Sequence, residues 1–295
     1  MTAPLTPNQI GGERNSLMAL PPVDVVELFP DLQCAFMELL SGLTSEEWNR
    51  PTVCGDWTVK DLVQHMLGSH IGMISSWRDD YHNPHFTDGL DISTGKGLLA
   101  AIDRQNANWV AATQRISPQL LVELFRTIGD EFVVTTSTVD LMELSGPVDW
   151  AGPDPAPAWM QLAREYTEYW IHQQHIRDAV GKPGLTDRRM YFPVLDTFAR
   201  AMPHNLRNSS AAEGTVVRLV ITGEAGGTWS ARRANNRWDL IAEGAPAVAT
   251  VTLDQDLAWR LFTKGVQPAE AIERIDLSGN HGLARPIIEM VTILA

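Results

Sequence analysis

Near Asn208-Ser209-Ser210 the chain changes its hydrophobic period, and that change limits its fold more than any other feature of its 295 residues. Upstream, apolar residues recur every three or four positions, the spacing that puts them on one face of a helix advancing about 100° per residue. Leu32, Phe36, Leu39 and Leu40 are one such set. Downstream, "TVVRLVITG", "GTWSARRA", "RWDLIAEG" and "AVATVTLD" are short β-branched and apolar runs separated by Gly, Asn-Asn and Pro, which read as strands. A segment patterned for one period exposes its apolar residues if it adopts the other. The expected fold is therefore an all-α helical bundle over residues 1–210 followed by a small α+β domain over 211–295.

Within the bundle, the pattern predicts a helix over 23–43 bent by Pro30, and a long second helix with Asp56 as its N-cap and His65 inside it. The polar stretch "DDYHNPHFTDGLD", with His82 and His85, reads as a loop. Further helices are expected over 95–115, over 117–143 with Ser117-Pro118 as its start, over 158–180 with Gly181 and Pro183 as its stop, and over 187–208. In the second part Asn235-Asn236 suits a tight hairpin. "IERIDLSGN" is expected to be a last strand between two helical segments, "DQDLAWRLFTKG" and "ARPIIEMVTIL".

A hydrophobic share of 44% is ample for a core without covalent staples, and the two cysteines, Cys34 and Cys54, stand in no paired-ligand spacing. They are expected to be reduced, partly buried thiols of a cytoplasmic protein, since no secretion signal or membrane-length apolar run is visible. A formal charge of −13 with scattered Lys and Arg argues against nucleic-acid binding, though an acidic small ligand stays possible. The expected partners are small molecules, with no nucleic acid and no membrane, and the expected state is a monomer or homodimer.

Residues 165–181, "EYTEYWIHQQHIRDAVG", place Glu168, His172 and His175 within an arc of roughly 60° on one helix. Glu168 and His172 are one turn apart, the separation at which two side chains reach one ion. His65 falls on the apolar side of its own helix and points inward. Taken singly, these are an exposed Glu–His contact and a core histidine; taken together, two imidazoles and a carboxylate form a three-ligand set with an open position, as in a catalytic metal site. The donor types suit a divalent first-row ion, zinc before others. Asp61, one turn before His65, is either the partner of that ring's other N–H or an ordinary solvated carboxylate. His175 is expected to line the pocket and Tyr169 and Trp170 to pack, with His70, His82 and His85 in loop or surface roles. Arg218 and Lys264 are candidates to face the site from the second domain.

The stretch "LTSEEWNRPTVCGDWTVKDLVQHMLG" resembles the amino-terminal signature of the DinB-like superfamily, in particular the mycothiol-dependent maleylpyruvate isomerase family. The matching positions are Leu43, Trp48, Pro51-Thr52, Trp57-Thr58-Val59, Asp61-Leu62 and His65. Glu168, His172 and "RDAVGKP" resemble the family's second block, and the strand-rich carboxyl-terminal part with "VTLDQDLAWRLFTKG" is similar to the sterol-carrier-like module of many members. The resemblance implies a metal triad of His65, Glu168 and His172, and mycothiol or a similar thiol as cosubstrate. It further implies a metal-dependent enzyme that uses that thiol to isomerise or conjugate a small electrophile. A non-catalytic metal or small-ligand binding protein is the alternative, and a metal-stabilised structural site a third. This chain carries His175 where many relatives have Asp, and Lys264-Gly265 where relatives often have Gly-Arg.

Overall fold

A computed structural model of the chain describes residues 20–91, 95–242 and 245–292, and every structural statement below concerns those residues. Helix α1 (Phe29–Ser41) follows a short 3-10 turn at Val26–Leu28. Pro30 stands in its first turn, where the missing N–H has no intrahelical acceptor to lose, so it opens the helix instead of bending it. Helix α2 (Val59–Trp77) is capped by Thr58, not by Asp56. Asp61 closes that cap, its carboxylate accepting from the Thr58 amide at 2.9 Å and the Thr58 hydroxyl at 2.6 Å.

Helix α3 (Gly95–Thr113) is followed by α4 (Pro118–Ser137), which Ser117 caps. The expected helix over 117–143 stops short, and the proline-rich connection that follows holds a small antiparallel ribbon of β1 (Leu144–Pro147) and β2 (Pro155–Pro157). Helix α5 (Ala158–Val180) ends at Gly181, whose φ of +66° favours a residue without a Cβ. The single helix expected over 187–208 is divided into α6 (Arg188–Ala199) and α7 (Met202–Leu206). Pro203 explains the division, because in a continuous helix its ring would clash with the Ala199 carbonyl.

Helix α5 is the axis of the bundle and is buried on all sides, including Trp159, Tyr166, Tyr169, Trp170, His172 and His175. Phe29 of α1 meets Phe132 of α4 and Tyr166 of α5 edge-on, with centroids at 5.4 and 5.5 Å. Close approaches tighten the bundle: a Cβ on Gly68 of α2 would lie 2.6 Å from the Trp109 indole of α3.

The second part is a mixed sheet in the order β5-β4-β3-β6-β7, formed by β3 (Val216–Thr222), β4 (Gly227–Ala234), β5 (Arg237–Ile241), β6 (Ala249–Asp254) and β7 (Asp276–Gly279). Only the β3–β6 pair is parallel, with Leu219 opposite Val251. Asn235 and Asn236, at φ of +52° and +62°, make the tight β4–β5 turn. Val217, Leu219, Trp229, Ala231 and Val251 point to the covered face, packed by α8 (Gln255–Phe262) and α10 (His281–Ile288); the four-residue α9 (Pro268–Ala271) lies between them in sequence. The architecture is thus a helical region followed by an α+β part.

One continuous apolar core runs through both parts. At the junction, Trp170 of α5 stacks on Tyr191 of α6 at 4.4 Å and meets Trp259 of α8 edge-on at 5.8 Å. The Tyr191 hydroxyl donates to the Gln255 carbonyl, and Arg260 pairs with Asp178 at 2.8 Å. We expect Trp170→Ala to cost about 3–5 kcal/mol of unfolding free energy and Thr58→Ala about 1 kcal/mol, measured by urea denaturation. A Trp170→Ala cost no larger than that of the cap would contradict a packed junction.

Candidate metal centre and its cavity

Helices α2, α3 and α5 and the loop over 78–91 enclose a cavity of about 1090 Å³, and His65, Glu168 and His172 all line it. The capping box starts α2 so that His65 falls two turns in, facing α5. The His65 and His172 rings are 5.0 Å apart and nearly perpendicular, and Trp57 lies 5.1 Å from His65 on its other side. Glu168 Oε2 is 3.5 Å from His172 Nε2.

Burial sets the electrostatics. It holds the His65 imidazole down to about 4 and His172 well below its ordinary range, with His65 and His175 adding to the effect on His172. Both rings are therefore neutral at physiological pH, the state in which a ring nitrogen can donate a lone pair. Burial, reinforced by the neighbouring Glu165 and opposed by Arg164, pushes the Glu168 carboxyl up to about 8. A carboxylate made costly in this way gains most from a cation. His172 Nδ1 is buried without a hydrogen-bond partner, a polar atom left for a ligand to satisfy.

A second donor group shares His172. Cys54, His172 and His175 each offer a ligand atom, and these atoms lie within 4.8 Å of one another. Cys54 Sγ is 3.2 Å from His175 Nδ1. Burial pushes the Cys54 thiol up to about 11 against a Thr52 hydrogen bond that lowers it, and burial brings His175 down to about 4. His175 stands against Trp259 at 5.6 Å and is not among the residues lining the cavity. Among the described residues it is Cys54, His172 and His175 whose ligand atoms lie close enough together to hold one metal ion, while His65, Glu168 and His172 meet on the cavity wall.

The other expected residues are placed differently. The Asp61 carboxylate, half-buried, serves the helix cap and accepts from Gln114 Nε2 at 2.6 Å, and it makes no hydrogen bond to His65. His70, expected at the surface, is 4% exposed and stacks on Phe132 at 4.0 Å, because the α2 wheel turns it toward α4. Arg218 donates to Ser230 Oγ and the Ala245 carbonyl within the sheet, and Lys264 lies by a separate small hollow near Pro268. Neither lines the cavity. Its only Lys or Arg among the described residues is Arg164, which pairs with Glu165. His82 reaches the cavity from the loop, and His85 pairs with Asp88 at 3.0 Å. The remaining walls combine amides such as Asn83, Gln105 and Asn106, aromatic rings such as Trp109, apolar side chains such as Met66 and Ile102, and the carboxylates of Asp56 and Asp103.

The family model for the mycothiol maleylpyruvate isomerase N-terminal domain matches residues 29–177. Crystal structures of a mycothiol-dependent maleylpyruvate isomerase resemble this chain at 15% identity over 89% of it and 95% of the other chain. The TM-score is 0.50 for a histidine-to-alanine mutant and 0.48 for the other structure. A sterol carrier protein 2-like 2 structure from Aedes aegypti matches 33% of this chain and 95% of its own, at 18% identity and a TM-score of 0.26. No curated protein matches. At 15% identity and a TM-score of 0.50, the likeness to the mutant structure speaks for fold alone.

The buried groups give the metal-free protein a defined pH response. His65, His70, His172 and His175 all have folded-state values below the ordinary 6.5, so the unfolded chain binds more protons between about 4 and 6.5 and stability falls as pH falls through that window. Each contributes up to about 1.4 kcal/mol per pH unit. Glu168, raised from 4.5 to about 8, acts in the opposite sense and costs stability as pH rises across that range. Four imidazoles outweigh one carboxylate below pH 6.5. Chelator-treated protein should therefore lose melting temperature from pH 6.5 to 4.5, and Glu168→Gln should remove the alkaline loss while keeping the acid one. A flat acid limb would show that these histidines are not buried neutral.

Proposed function

The chain belongs to the mycothiol maleylpyruvate isomerase N-terminal domain family, and from that membership and the site we propose a metal-dependent enzyme that uses a small thiol, mycothiol or one like it, to isomerise or conjugate a small electrophile. The observation that carries the reading is the meeting of His65, Glu168 and His172, from two helices far apart in sequence, on the wall of one cavity. A divalent ion held there, zinc by donor type, would supply the positive charge that brings a thiol's pKa below its free value of about 8.5, so that the nucleophile would exist at neutral pH.

The chain's own residues do the rest. His65 and His172, kept neutral by burial, would hold the ion, and Glu168 would offset part of its charge. The aromatic wall of Trp57 and Trp109 keeps one side of the reacting space apolar. The amides of Asn83, Gln105 and Asn106 offer hydrogen bonds to a hydroxyl-rich thiol carrier. The cavity's one guanidinium is already paired, while Asp56, Asp103, Glu165 and Glu168 line the same space. That balance disfavours a multiply charged anion and favours a neutral electrophile. Maleylpyruvate, a dicarboxylate, is therefore not the substrate this cavity suits best.

Elemental analysis of purified protein, followed by thiol-depletion assays against a panel of neutral and anionic electrophiles, tests the reading. We expect about one divalent ion per chain and thiol consumption with neutral electrophiles. His172→Ala should lower metal affinity by more than the tenfold typical of losing an outer hydrogen-bond partner, and turnover should fall with it. Stoichiometric metal without thiol-dependent turnover would instead support a binding protein, and absence of metal would end the proposal.

A further inference from the structure

We propose that Cys54 is a metal ligand, supplying with His172 and His175 a sulfur-containing donor set that gives the resting protein a thiolate of its own at the ion. The inference rests on the metal-binding reading proposed above but places the resting ion in the second donor set, which shares His172 with the first, and its test separates the two. Three observations carry it. Cys54, His172 and His175 bring their ligand atoms within 4.8 Å of one another, so that a small inward movement of the side chains brings them to the bond lengths of about 2.0–2.3 Å that zinc takes with nitrogen and sulfur. His172 and His175 are 6% and 3% exposed, and His172 Nδ1 has no hydrogen-bond partner, so the histidine at the centre of the cluster is buried with an unused donor atom. Cys54 Sγ stands 3.2 Å from His175 Nδ1 although 121 residues separate them, and the residue also lines the open cavity.

The remaining geometry supports the same role. Cys54 is held in its loop, its amide donating to Thr52 Oγ1 at 3.2 Å while Thr52 and Trp57 bond across the turn. His175 is buttressed by Trp259, which Trp170 meets edge-on. The sulfur and the imidazole thus come from rigid surroundings. A thiolate with two imidazoles selects zinc-like ions over magnesium, calcium or manganese, which prefer oxygen donors. When Cys54 binds, its thiol proton passes to solvent as the sulfur–metal bond forms, with no change of oxidation state. When a small thiol arrives from the cavity in its place, Cys54 recovers a proton as the incoming thiol gives one up, so the exchange is neutral in protons and in charge.

Cobalt(II) alone, loaded into chelator-stripped full-length protein, is the probe, because a thiolate ligand produces an intense near-ultraviolet charge-transfer absorption that nitrogen and oxygen ligands do not. We expect that absorption at one cobalt per chain in the unsubstituted protein and in Cys34→Ser. Cys54→Ser should bind cobalt at least tenfold more weakly and without the absorption. Cobalt bound without the absorption, or an absorption that survives in Cys54→Ser, overturns the inference. X-ray absorption of the zinc-loaded unsubstituted protein needs no variant and should show one sulfur at about 2.3 Å; a shell of nitrogen and oxygen alone also overturns it. Protein that binds neither ion refutes this inference and the proposed function together. A sulfur ligand found in protein with no thiol-dependent turnover leaves Cys54 as a ligand and removes only the enzymatic reading.

Discussion

Helix α5 carries His172 and His175 into the interior of the bundle and sets the half-buried Glu168 on the cavity wall beside them, and the rest of the site follows from that placement. Desolvation keeps the imidazoles neutral and makes an ionised Glu168 costly. Such groups persist in a fold only when something meets them. Here the partners are each other, His65 from α2, the Cys54 thiol and the edges of aromatic rings. A buried set of lone-pair donors with one ring nitrogen unpartnered is poised for a cation, since a cation satisfies every member at once.

The two parts of the chain are joined at the same place. Trp259 and Arg260 of α8 reach α5 beside His175 and at Asp178, and Trp259 also packs on Trp170. The strand-rich part therefore stands directly behind the donors, while the cavity opens on their other flank through α2, α3 and the 78–91 loop. Support and access come from opposite directions.

Much of this was legible in the sequence because it is local. Periodicity marks the helices and strands, Gly181 with Pro183 ends α5, and Asn235-Asn236 makes a turn. Glu168 and His172 share a face by arithmetic on the helix repeat. Where local reasoning failed, a competing local interaction or a tertiary one had won. Thr58 took the cap from Asp56 because Asp61 could complete the reciprocal pair. Pro203 divided a helix whose apolar pattern ran on. The β1–β2 ribbon escaped notice because its strands are short and rich in proline, which carries no donor for a ladder.

The sequence by itself determined the order of helices before strands, the family signature, and the carboxylate and imidazoles along α5, since each depends on residues a few positions apart. Only the tertiary structure decided that His70 is interior, that Arg218 and Lys264 stand away from the cavity, and that Cys54 meets His175. The reason is physical. Contacts between residues tens to more than a hundred positions apart are set by how whole elements pack, and no spacing rule along one chain carries that information.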